Sequence, residues 1–101
     1  MAHFDYEPLN LYDNFATASR KWPRVPIYFD QALAAFPELG LETNYQDALK
    51  SIDLRSKQLA RLGIKAGTMV MVYKSPAFDT YLLALALTKL GAVPVMVSYH
   101  L

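Results

Sequence analysis

Apolar positions recur at helical spacing in two stretches of the chain and run almost unbroken through a third. Leu11, Phe15, Ala18 and Trp22 stand at i, i+4, i+7 and i+11, which places them on one face and predicts a helix over 10–22 with Trp22 closing its buried stripe. Asn10 is a good N-cap, and Asp13, three residues on, is where an acid can reach back to the cap. Pro23 ends the segment. The segments VPIYFD and LGLET are partly β-branched or aromatic and bounded by Pro and Gly, so 25–43 is expected to form a short antiparallel hairpin. The QALAAF link between them has room for one or two helical turns begun by Asp30.

A second helix is predicted over 44–63. Asn44 caps it, with Asp47 at its third position. Tyr45, Leu49, Ile52, Leu59 and Leu62 share one face, with Ser56 the gap in that stripe. Asp53 and Lys57, spaced i, i+4 with the acid first, are expected to pair on the outer side for about 0.3 kcal/mol. Gly63 should stop the helix in the left-handed conformation, with Ile64 packing back on Leu59 in a Schellman ending. KAGT then offers a tight turn with Gly67 at positive φ.

The third stretch, 69–99, reads as a βαβ unit. Met69 to Tyr73 and Val93 to Tyr99 lack alternation, as strands covered on both faces do. Between them Ser75 is expected to cap a helix with Pro76 at its first position. From Phe78 to Leu90 only Asp79, Thr80, Thr88 and Lys89 are polar, so that helix should be buried on most sides. The connection is long enough for a crossover, which makes the strands parallel. Pro94 points to an edge or a strand beginning. The expected fold class is α/β, a partial sheet with a parallel βαβ unit, a short hairpin and about three helices. The 1–101 span is read as a single incomplete domain.

Composition narrows the partners. The chain of 101 residues is 53% hydrophobic and 19% charged, an apolar excess that fits either a very complete core or a surface awaiting a partner. The formal charge of +1 and the scattered Lys and Arg give no basic face, so no nucleic acid is expected. No apolar run approaches the ~20 residues that span a bilayer, and MAHFDYEPLN lacks the layout of a signal peptide. With no cysteine, disulfides and thiolate metal sites are excluded, and a cytoplasmic location is expected.

Candidate chemistry is sparse. The turn YKSPAF follows a strand and opens a helix, a place where α/β sheets gather ligands and helix N-termini attract anions. A phosphate loop needs glycines, however, and no Gly lies between Gly67 and Gly91, so a capped helix start is the better reading. His100, beside Tyr99 at a strand end, has no orienting partner that the sequence can name. His3 lies in a terminus. Asp5, Glu7, Asp13 and Asp30 show no metal-ligand spacing. The methionines read as core filler, Tyr73, Tyr81 and Tyr99 as half-buried packing residues, and Trp22 as core. No residue is assigned a catalytic, cofactor-binding or metal role.

The ordered segments NLYDNFATASRKWP and NYQDALKSIDLRSKQLARLGIKAGTMVMVYKSPAFDTYLLALALTKLGAVPVMVSYH resemble the beginning of the adenylate-forming enzymes, the AMP-forming acyl-CoA synthetases and fatty-acid–CoA ligases. The matching positions are Tyr45 and Asp47, Leu62 to Lys65 with Gly67, Ser75 with Pro76 and Phe78, and Leu90 to Val93. Departures are Asn44 where Thr is usual, Ala66 and Thr68 around Gly67, the longer segment from Asp30 to Leu41, and the ending Ser98, Tyr99 and His100. The resemblance implies an N-terminal portion of the synthetase large domain. It also implies a parent that uses ATP, Mg²⁺ and CoA to turn a carboxylate into an acyl-adenylate and then a thioester. In that family the phosphate loop and catalytic lysine lie later, so this segment alone is expected to be an inactive scaffold that binds no cofactor. Its expected partners are the remainder of the parent enzyme and other copies of itself, joined through an open sheet edge or exchanged elements. The alternative is a complete small α/β module that binds a partner without catalysis.

Overall fold

The structure, a computed structural model, describes residues 10–74 and 78–98. Helix α1 (Leu11–Lys21) is followed by β1 (Pro26–Tyr28), a 3-10 turn (Pro37–Leu39), β2 (Glu42–Asn44) and α2 (Tyr45–Arg61). Then come β3 (Met69–Lys74), α3 (Asp79–Lys89) and β4 (Val93–Ser98). β1 and β2 pair antiparallel, and β3 and β4 pair parallel, in two separate two-stranded sheets. The fold is α/β with three helices, a small hairpin and a parallel βαβ unit, as the apolar pattern predicts.

Local chemistry explains the helix ends. The amide of Asp13 donates to Asn10 Oδ1 at 3.2 Å, and the amide of Asp47 donates to Asn44 Oδ1 at 2.8 Å, so both asparagines cap as expected. At the end of α2 the Gly63 amide donates to the Ala60 carbonyl at 3.0 Å and the Ile64 amide to the Leu59 carbonyl at 3.2 Å. That is the Schellman pattern, with Gly63 at φ 96°. Helix α3 ends the same way: Gly91 donates to Thr88 and Ala92 to Leu87. Helix α3 begins at Asp79 with Phe78 flanking it; the cap expected at Ser75 and Pro76 lies outside the described residues.

Two apolar positions and one turn depart from their predicted place. Trp22 is 56% exposed, because the chain leaves the helix there (φ −133°, ψ 60°) and carries its side chain off the stripe. The inward residues of α1 are Phe15, Ala16 and Ser19. Leu62 is 79% exposed for the same reason: it is the C-cap, where the Schellman turn takes over from the helical period. The helical turn expected in QALAAF forms one step later, at Pro37–Leu39, where proline's fixed φ suits the first position. The connection from β1 to β2 sends Leu33, Phe36 and Leu39 into the core instead.

The core is two clusters that share Leu59 and Leu83 at their border. The larger joins Phe15, Leu33, Phe36, Ala48 and Ile52 with Leu82, Leu85 and Ala86 of α3. The smaller joins Val72, Leu87 and Ala92 under the parallel sheet. Each of the large aliphatic side chains so buried stabilises by about 1.5–3 kcal/mol. The gap that Ser56 leaves in the α2 stripe is filled by the backbone of α3. Ser56 Oγ donates to the Ala86 carbonyl at 2.7 Å in a buried contact, so the gap is a notch that lets two helices approach.

Burial of the parallel strands is one-sided. Along β3, Val72 is buried, whereas Met69, Met71 and Tyr73 are 73%, 64% and 65% exposed. The register sets these beside Val93, Val95 and Val97. Lateral neighbours in a parallel pair project to the same side, so these six share one apolar face, on which Met69, Met71, Tyr73 and Val93 are exposed and Val95 and Val97 half-buried. The expectation of strands covered on both faces is therefore corrected. The crossover helix lies on one side, and no described residue covers the other. Tyr73, Met69 and Met71 accordingly stand exposed rather than in a core, and Met96, set beside Val72 on the opposite side, is also 44% exposed.

Candidate functional site

Where three helices meet, α1 brings Tyr12, α2 brings Asp53 and α3 brings Lys89. Asp53 Oδ1 accepts from the Tyr12 hydroxyl at 2.7 Å and from Lys89 Nζ at 2.8 Å. Lys89 Nζ also stands 5.2 Å from the Tyr12 ring centre. Burial and the carboxylate beside it raise the Tyr12 phenol above its ordinary value. Burial opposes the charge on Lys89, but the hydrogen bond and charge of Asp53 outweigh it and raise the ammonium as well. A phenol that holds its proton and an ammonium that holds its charge are poor bases near neutrality. The trio is a strut between helices. It also corrects the Asp53–Lys57 pairing: Asp53 turns inward, and Lys57 is exposed.

A second polar knot fixes the long hairpin connection to α2. Arg55 Nε donates to the Ala35 carbonyl at 3.1 Å, and its Nη2 bridges both Glu38 carboxylate oxygens at 2.9 and 3.1 Å. The guanidinium lies over the Phe36 ring at 5.1 Å. Arginine's planar fork suits this combination of carbonyl, carboxylate and ring. Here too the polar groups are occupied in holding the fold.

At the carboxyl end of β3 lies a small cavity of about 140 Å³, lined by Ala35, Val72, Tyr73, Asp79, Thr80 and Leu83. It is the ligand-favoured end of a parallel sheet, yet it is well below the ~300 Å³ of an ordinary small-molecule site. Phe78 and Tyr81 flank this region, with ring centres 4.9 Å apart, and Phe29 stacks beyond them at 5.9 Å. Tyr81 thus packs within an aromatic group and is partly exposed. Asp13 and Asp30 are exposed and lie on separate elements. Among the described residues no group of three or more His, Asp or Glu side chains could hold a metal ion. His3, Asp5, Glu7, Tyr99 and His100 lie outside the described residues. The strut and the Arg55 knot escape sequence reading because their partners lie 17 to 41 positions apart.

No family model matches the chain. It is similar to a 3-amino-2-hydroxy-4-methoxybenzoate diazotase from Streptomyces cremeus, 31% identical over 86 residues, which are 85% of this chain and 16% of that protein. The chain thus spans about a sixth of the length of the curated relative it matches. This overturns the resemblance to acyl-CoA synthetases: the matching relative is a diazotase, not an AMP-binding enzyme. The reason is physical. Leu62 to Lys65 with Gly67 form a Schellman ending and a turn, and Leu90 to Val93 form a second Schellman ending that enters a strand. Such segments record how a helix hands over to a strand and carry no information about a reaction. Nothing in the comparison supports ATP, Mg²⁺ or CoA as ligands of a parent protein. No described helix is long and apolar enough to cross a membrane.

Proposed function

We propose that this chain is a framework segment of a larger enzyme, supplying four strands and three helices but no reacting group. One observation carries the reading, the one-sided burial of β3 and β4. Parallel sheets are found almost only with both faces covered, and here Met69, Met71, Tyr73 and Val93 are exposed on one side of strands that bury Val72 on the other. The small share of the relative's length that the chain spans supports it. So does the use of Tyr12, Asp53, Lys89, Arg55 and Ser56 in holding elements together.

On this reading the parent's reaction is diazotisation of an aromatic amine of the aminohydroxybenzoate class, the reaction in the relative's name. The partners of the segment are the remaining elements of that enzyme, which cover the open face of the parallel sheet. A cytoplasmic place fits the absence of cysteine. The test uses the purified chain with 3-amino-2-hydroxy-4-methoxybenzoate and nitrite as nitrogen donor. The reading expects no diazo product above the uncatalysed background; turnover by the chain alone would overturn it.

The alternative, a complete small binding module, draws on the continuity of the core through Leu59 and Leu83 and on the capping of α1 and α2. Such a module needs no cover for its sheet, so it would melt cooperatively as a monomer at every concentration.

A further inference from the structure

We infer, on the framework reading above, that a further strand from the remainder of the parent enzyme docks along the free edge of β3, where the backbone groups of Met69, Met71 and Tyr73 point, and that β4 is an outer strand of the completed sheet.

The register decides which backbone groups are free. Met69 stands beside Val93, and the Val93 amide donates to the Thr68 carbonyl at 2.8 Å. In a parallel pair, alternate residues of each strand turn their N–H and C=O toward the partner. Val93, Val95 and Val97 therefore bond inward from β4, and Val70 and Val72 bond inward from β3. Met69, Met71 and Tyr73 turn their backbone groups away from β4, and no described strand takes them up. This edge thus offers a donor and an acceptor at every second residue, roughly 6.6 Å apart. Another extended backbone presents complementary groups at that spacing, which is the basis of strand addition.

The free edge of β4 is the poorer seat. Its outward positions begin with Pro94, followed by Met96, and proline has no N–H to give. Proline within sheets is confined to edge strands and strand beginnings, and it blunts pairing there. β3 carries no such device. From Met69 to Tyr73 it has no charge, no Pro and no Gly. An apolar strand edge of this kind invites aggregation when left open, so it suits the inside of a sheet. The side chains agree. On the face the two strands share, Met69, Met71 and Tyr73 of β3 are exposed, whereas Val95 and Val97 of β4 are half-buried. The open flank therefore lies on the β3 side, where an added strand would lay its own side chains.

Hydrogen exchange, read amide by amide on the full chain with a strand attached, tests this. The probe is Thr-Val-Thr-Val-Thr-Val, joined to the carboxyl end through about 20 Gly and Ser residues, a flexible length that reaches either edge. In the chain without the probe, the amides of 69, 71 and 73 should exchange fast and those of 70 and 72 slowly. With the probe, exchange at 69, 71 and 73 should slow, and exchange at 96 should stay unchanged. Met71→Pro removes an outward donor and none that bonds to β4, so the probe should no longer slow 69 and 73 while 70 stays protected. Should Met71→Pro lose its fold, Pro94→Val replaces it: this restores a donor to the edge of β4, and the probe should then slow 96 as well. Slow exchange at 69, 71 and 73 without the probe overturns the inference. So does a probe that slows 96 alone or neither edge, or a substituted chain that keeps the wild-type pattern. The two proposals fail separately: turnover in the diazotisation test leaves the docking edge standing, and a probe that docks at neither edge, without turnover, removes only the edge.

Discussion

Gly91 and Gly63 both end helices in the left-handed region, at φ 74° and 96°, but their surroundings differ. A Cβ on Gly63 would meet nothing within 4 Å. A Cβ on Gly91 would stand 3.2 Å from the Ala66 Cβ and 3.4 Å from its Cα. The turn there is also held by the Gly67 amide donating to the Gly91 carbonyl at 2.9 Å. Gly63→Ala should therefore cost only the left-handed penalty, about 1–2 kcal/mol. Gly91→Ala should cost that plus displacement of a turn that opens a strand. Urea unfolding of the two variants should give a lower midpoint for Gly91→Ala; equal midpoints would show that the Ala66 turn yields freely. Asn10, Asn44 and Gly63 are legible in the sequence because each acts on backbone within a few positions. Trp22 and Leu62 mislead because they continue a helical period one residue past the point where the backbone leaves the helix. Nothing in a spacing rule marks that point.

Helices α1, α2 and α3 are tied at one spot by Tyr12, Asp53 and Lys89, and the tie has a pH signature. Both Tyr12 and Lys89 titrate higher in the folded chain than their ordinary 10.0 and 10.5. A group whose folded value is raised adds stability that is fully present below its ordinary value and is lost as pH rises through the folded one. Thermal stability should thus lose this contribution only above pH ~10. Tyr12→Phe should be less stable than the wild type at pH 8 and should lose less on going to alkaline pH. Parallel melting curves for the two proteins between pH 8 and 11 would contradict the strut. Sequence reading pairs Asp53 with Lys57 because only a helical neighbour is visible along one element. The real partners arrive from elements 41 and 36 positions away. The gap at Ser56 misleads similarly: it looks like a flaw in an apolar stripe, and it is where the Ser56 hydroxyl donates to the Ala86 carbonyl of α3.

For the whole molecule, α3 is the element on which everything else rests. Leu82, Leu85 and Ala86 enter the larger core cluster and Leu87 the smaller, so one helix joins the α1–α2 half to the parallel sheet. The architecture is legible in the sequence because parallel strands need a crossover, and an almost wholly apolar helix has few other places to go. Which face of the sheet stays bare is not legible, since β3 and β4 are apolar on both sides and only the position of α3 decides between them. The absence of assigned chemistry is likewise a matter of segments read as caps and turns, and the comparison with a diazotase gives the chain a context without giving it a reacting residue.

Hydrogen exchange of the native chain, read amide by amide, tests the central role of α3 most directly. If the helix is the shared keel, the amides of 84–87 can open only when the whole chain unfolds. They should be among the slowest to exchange, with protection equal to the global stability from urea unfolding. Exchange in α3 as fast as at the exposed ends of α1, through local opening while the rest stays protected, would contradict it.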